Sequence, residues 1–85
     1  METRVAGMSM IVEKGEAVAR LIALLHEYGE FIIGRMGNPY PKKEISIVSV
    51  ALDAPEDTIS ALAGKLGNID GVGVKTAYSN VKGHE

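Results

Sequence analysis

Apolar residues recur along the chain with two periods, and the switches between them mark out its elements. Residues 5–12 (VAGMSMIV) form a short apolar run with a β-branched end, which predicts a strand rather than a helix. Glu13-Lys14-Gly15 interrupts it. Ala17, Val18, Leu21, Leu24, Leu25 and Tyr28 then recur at spacings of three and four, a single helical face with Arg20 and Glu27 turned elsewhere. Gly29 is expected to end that helix in the left-handed conformation. Residues 31–36 read as a second strand. Pro39 and Pro41, each without an N–H and with φ fixed, predict a loop from Gly37 through Pro41.

Residues 45–52 (ISIVSVAL) give a third strand, with Ser46, Val48, Val50 and Leu52 on one face and Ile45, Ile47, Ser49 and Ala51 on the other. Asp53 is placed to cap a second helix that Pro55 and Glu56 begin, and Asp57 adds negative charge at its positive end. Ile59, Leu62, Ala63 and Leu66 supply its buried face, Gly64 a close approach to the sheet, and Gly67 its stop. Val72, Val74, Thr76 and Tyr78 alternate with Gly73, Lys75 and Ala77 in a last strand. Residues 80–85 are expected to fray.

The order is β-α-β-β-α-β, with a weak internal repeat at an offset of 38 residues that sets Leu21 on Ile59, Leu24 on Leu62, and Met10 on Val48. Two interlocked βαβ halves predict an α+β, ferredoxin-like sandwich: a four-stranded antiparallel sheet with both helices on one face. The 85 residues form a single domain, with an ordered core expected over about 4–79. In this fold the other sheet face is polar in a monomer, yet here the central strands are apolar on both sides. Val5 and Ile11 oppose Met8, Met10 and Val12, while Ile45, Ile47 and Ala51 oppose Val48, Val50 and Leu52. So large an apolar patch predicts a homo-oligomer that covers it, most simply a two-fold dimer. Ser9, Ser46, Ser49, Gly7 and Gly73 thin that face, the feature by which a monomer would tolerate it.

Composition narrows the chemistry. With no cysteine there is no disulfide, thiolate metal site or iron–sulfur ligand set, and a net charge of −2 opposes direct nucleic-acid binding. The longest uncharged runs fall far short of the ~20 residues that span a bilayer, and no signal-peptide pattern opens the chain, so a cytoplasmic location away from membranes is expected. His26 reads as a surface histidine and His84 lies in the tail, without metal spacing, so no metal and no cofactor are expected. Gly64-Lys65-Leu66-Gly67 ends a helix and Gly71–Thr76 lies in a strand, neither the context of a phosphate loop. Arg35, Lys42, Lys43 and Lys75 read as edge cations that block strand-to-strand aggregation. Alternatively, Arg35 and Lys75 converge across a dimer as an anion site.

Gly34-Arg35-Met36-Gly37-Asn38-Pro39-Tyr40, the third strand, and the segment Ala61-Leu62-Ala63-Gly64-Lys65-Leu66-Gly67-Asn68-Ile69-Asp70-Gly71-Val72 together resemble the iron-only hydrogenase system regulators. The resemblance runs from the first strand to about Tyr78. It implies a ferredoxin-like fold akin to ACT domains and to the C-terminal domain of nickel-responsive regulators, whose relatives assemble through sheets or edges and bind small effectors between subunits. The histidine-and-cysteine site of nickel-responsive regulators has no counterpart here, nor does the arginine-bearing first loop of acylphosphatases. Gly15 stands where ACT domains carry a ligand-contacting glycine.

A non-enzymatic regulatory or ligand-sensing homo-oligomer is therefore expected, with Gly15, Arg35, Gly37, Tyr40, Lys65 and Lys75 as candidate ligand-binding residues. The alternative is an accessory protein that contacts hydrogenase maturation proteins without a small-molecule ligand.

Overall fold

The computed structural model describes residues 2–80. Chain order is β1 (Arg4–Val12), α1 (Ala17–Glu27), a short 3-10 turn (Gly29–Phe31), β2 (Ile32–Tyr40), β3 (Ile45–Ala54), α2 (Glu56–Gly67) and β4 (Val72–Tyr78). The strands form one sheet in the order β2-β3-β1-β4, with every neighbouring pair antiparallel. This is the ferredoxin-like arrangement that the periodicity predicts.

The core follows from the alternation. Ala6, Met8, Met10 and Val12 of β1 and Val48, Val50, Leu52 and Ala54 of β3 are buried against Ala17, Leu21 and Leu25 of α1 and Ile59, Leu62 and Leu66 of α2. Val18, Leu24, Tyr28 and Ala63 pack around them. Arg4 ties three elements together: its guanidinium lies 3.3 Å from Glu56 at the start of α2, donates to the Ser79 carbonyl at 3.1 Å, and sits 4.5 Å from the centre of the Tyr78 ring.

Four local expectations are corrected. The segment Gly37–Tyr40 is not a loop, because β2 runs on through Pro39, which stands opposite Ser46. As the outermost strand, β2 pairs on one side only, and an edge tolerates a residue that lacks a donor. The turn occupies residues 41–44 instead, where the Lys43 and Glu44 N–H groups donate to the Tyr40 and Pro41 carbonyls and Glu44 takes φ 58°. Gly29 is not left-handed: the chain leaves α1 at Tyr28 straight into the 3-10 turn, whose Phe31 N–H donates to Tyr28. Asp53 does not cap α2; it pairs with Val5 inside β3, and Pro55 occupies the cap position without a side-chain bond. Gly64 lies on the exposed side of α2, where an added Cβ would touch nothing within 4 Å.

Gly71 does carry a conformational demand. Its φ is +89°, and a Cβ there would lie 2.8 Å from Lys14 Cγ. Its carbonyl accepts from Glu13 N–H at 2.7 Å, joining the end of β1 to the start of β4. Gly71→Ala is expected to lower unfolding stability by about 1–3 kcal/mol in denaturant titrations. Gly64→Ala in the same assay is expected to raise it by about 0.5–1 kcal/mol, because alanine is the better helix former.

Candidate functional site

Register places every strand residue on one of two faces. On the face away from the helices, Met36, Ser49, Ser9 and Lys75 form one row across β2, β3, β1 and β4, and Gly34, Ala51, Gly7 and Ala77 form the next. These rows contain mostly small side chains. Ile47 and Ile11 stand beyond them on one side, and Val5 stands on the other with Ile33 of the β2 bulge. The result is a trough of about 610 Å³ across the sheet, with Gly7, Ser9, Gly34, Ser49, Ala51 and Ala77 in its floor. Its rim is unusually apolar for exposed surface: Val5 is 48% exposed, Ile11 37%, Ile33 64% and Met36 59%. Among the described strand positions of this face, charge is carried by Asp53 and Lys75.

The six candidate residues do not form one site. Lys75 stands at the β4 end of the trough and Tyr40 at the tip of the β2–β3 hairpin on the same face. Arg35 and Gly37 oppose Val50 and Val48, so they belong to the helix side at the β2 edge. The cause is a bulge between Ile32 and Gly34, which shifts the alternation of β2 by one residue and turns Arg35 away from the open face. Within one copy Arg35 and Lys75 thus stand at opposite edges of the sheet, Arg35 in register with the helix side and Lys75 with the open face, although both border the trough. Arg35 also borders a smaller depression of about 250 Å³ with Leu25, His26, Gly29 and Ile32.

Lys65 lies on α2, its ammonium 5.2 Å from the centre of the Tyr28 ring. Its pKa is raised above 10.5, first by a hydrogen bond with Tyr28, then by the charge of that group, with a smaller contribution from Glu27. Gly15 sits in the β1–α1 loop beside Lys14, whose ammonium bonds Asp70 at 2.6 Å. That loop opens α1 through its own backbone, with Ala17 and Val18 N–H donating to the Lys14 and Gly15 carbonyls. Gly34, Met36 and Ala77 are trough residues that sequence patterning missed, and Asp53 stands beyond them on the same face, opposite Val5. Asp53 was legible as the next member of the series Ile45, Ile47, Ser49, Ala51. The sides of Gly34 and Met36 depend on a bulge that no residue type announces. Among the described residues, no group of three His, Asp or Glu side chains is placed to hold a metal, and no helix is long and apolar enough to cross a membrane. His84 lies outside the described residues.

Residues 4–76 match the model of the TM1266-like family, described as "Iron-only hydrogenase system regulator, putative". The chain belongs to this family. Among solved structures it is similar to the uncharacterized protein TM1266 from Thermotoga maritima, with 37% identity and a TM-score of 0.87 over 91% of this chain and 98% of that one. The C-terminal domain of the MgtC protein from Mycobacterium tuberculosis shares the fold, at 13% identity and a TM-score of 0.73 over 96% of this chain and 94% of that one. So does the divalent ion tolerance protein CutA1 from Ehrlichia chaffeensis, at 15% identity and a TM-score of 0.53 over 98% of this chain and 88% of that one. A search of curated proteins returns no match.

The Lys14–Asp70 pair gives this corner a defined pH response. Asp70 is held below its ordinary 3.8, first by the hydrogen bond from Lys14 and then by its charge. A carboxyl group with a lowered folded-state pKa stabilises the fold above its unfolded pKa, and that stability is lost as pH falls through the folded value. Lys14, raised above 10.5 by the same bond and charge, loses its contribution as pH rises past that range. Asp70→Asn is expected to flatten both limbs in unfolding titrations, below about pH 4 and above about pH 10.5, with little change at pH 7 in the slope against pH.

Proposed function

We propose that this chain is a non-catalytic regulatory domain that works as a homo-oligomer, assembled through the open face of its sheet, and that it senses a small ligand where the copies meet. The observation that carries this reading is the apolar trough with its rim of exposed Val5, Ile11, Ile33 and Met36. Exposed apolar area on this scale marks a binding surface rather than an inert one. Its volume falls within the ~300–1,000 Å³ of small-molecule sites, but it is too open to enclose a ligand without a second wall. An opposed copy supplies that wall. A ligand held between copies biases assembly by binding one arrangement better than another, which is what a regulator requires. Membership of the hydrogenase-system regulator family agrees with such a role.

Native mass spectrometry of gently purified protein tests both parts together. A dimer or higher oligomer with added small-molecule mass is expected. An oligomer without added mass at any concentration removes the sensing role, and a monomer at micromolar concentration contradicts the assembly on which the reading rests.

A further inference from the structure

The arrangement of charge and glycine on the open face specifies how a second copy would meet it. Asp53 and Lys75 are both exposed and have opposite sign, and neither makes an ion pair among the described residues. They cannot pair within one copy. Asp53 is opposite Val5 and Lys75 is opposite Ser9, with the whole of β1 between their strands. Strand spacings of ~4.8 Å and rises of ~3.4 Å per residue put their backbones ~17 Å apart, beyond the reach of one lysine and one aspartate. The midpoint of that diagonal falls on Gly7, two residues from Val5, two from Ser9, and on the strand between.

Gly7 has no evident purpose within the single chain. Its φ is not positive, a Cβ there would meet nothing within 4 Å, and glycine weakens a strand interior. Gly34 and Gly73, on the same face, also leave open space. A residue that neither the backbone conformation nor internal packing requires to be small points to an approach from outside.

We infer that the open face is a two-fold interface between copies of this chain, its axis passing over Gly7, so that Lys75 of each copy pairs with Asp53 of the other. The inference rests on the homo-oligomer proposed above and names its contact. A two-fold axis lying between the sheets, perpendicular to the Lys75–Asp53 diagonal, exchanges the two positions and gives both pairs at once. Packed sheets stand ~10 Å apart, a gap that a lysine and an aspartate side chain span together. Glycine at the axis lets the backbones come closest there. The face measures about 19 Å by 24 Å, or ~900 Å² of projected area for two copies, near the ~1,000 Å² at which specific interfaces begin. An interface so near that limit depends visibly on its charge pairs.

Sedimentation equilibrium at low ionic strength, with fold checked by circular dichroism, tests the contact through Lys75→Glu, Asp53→Lys and their equimolar mixture. Both positions are exposed, so the variants are expected to fold. Each alone faces like charges twice and is expected to dimerise roughly 10- to 100-fold more weakly, an effect that shrinks as salt is added. The mixture restores opposite charges at both contacts and is expected to recover wild-type dimerisation as a heterodimer. Gly7→Leu, with open space around it in the single chain, is expected to give a folded monomer. A wild-type dimer unaffected by either charge reversal, or by Gly7→Leu, overturns this contact while leaving the homo-oligomer standing. A wild-type monomer, including one that carries an apolar small molecule, overturns both.

Discussion

The structure turns on a burial imbalance. Two helices cover one side of a four-stranded sheet, while the central strands carry apolar residues on both sides. On the covered side the imbalance is resolved: Met8, Met10, Val48, Val50 and Leu52 meet Leu21, Leu25, Ile59, Leu62 and Leu66, all but lost to solvent. On the other side Ile11 and Ile47 stand over a floor of glycine, alanine and serine with nothing opposite them. A chain of 85 residues buries a smaller share of its surface than a larger domain does, so it has little stability to set against an exposed patch. That pressure is what the proposed assembly through the open face would relieve.

The edges of the sheet shape what assembly can do. On β2 the bulge at Ile33 is the decisive local feature. It rotates the remainder of the strand by one position, so Gly34 and Met36 join the trough and Arg35 turns toward α1. One inserted residue thereby sets Arg35 opposite Val50 and leaves Lys75 and Asp53 as the charged strand positions in register with the open face. The cation at Arg35 is left beside His26, where a separate shallow depression forms.

The element order and the two-layer architecture were legible because each depends on a period that runs through many residues. The i, i+3, i+4 series from Ala17 to Tyr28 and the alternation from Ile45 to Leu52 each survive the error of any one position. Predictions that rested on a single residue fared differently. Pro39 looked like a strand breaker, but it lies on an edge where its missing donor has no neighbour to disappoint. Asp53 had the chemistry of a cap, yet β3 carries two residues further and takes it into the sheet. Gly29 had the chemistry of a left-handed stop, but the chain tightens into a 3-10 turn that does not need one. Of the candidate site, the apolar open face and Lys75 were readable from alternation. Arg35 was not, because a bulge is set by the competition of pairing and packing across strands rather than by the residue that carries it.

Coverage of the open face by another copy is tested most plainly by a direct measurement of contact between chains. In an equimolar mixture of isotope-labelled and unlabelled chains, filtered nuclear Overhauser spectra report contacts between copies alone. Cross-peaks from the methyl groups of Val5, Ile11, Ile47 and Met36 to the other copy are expected. Their absence, or contacts confined to the outer surfaces of α1 and α2, would contradict that coverage.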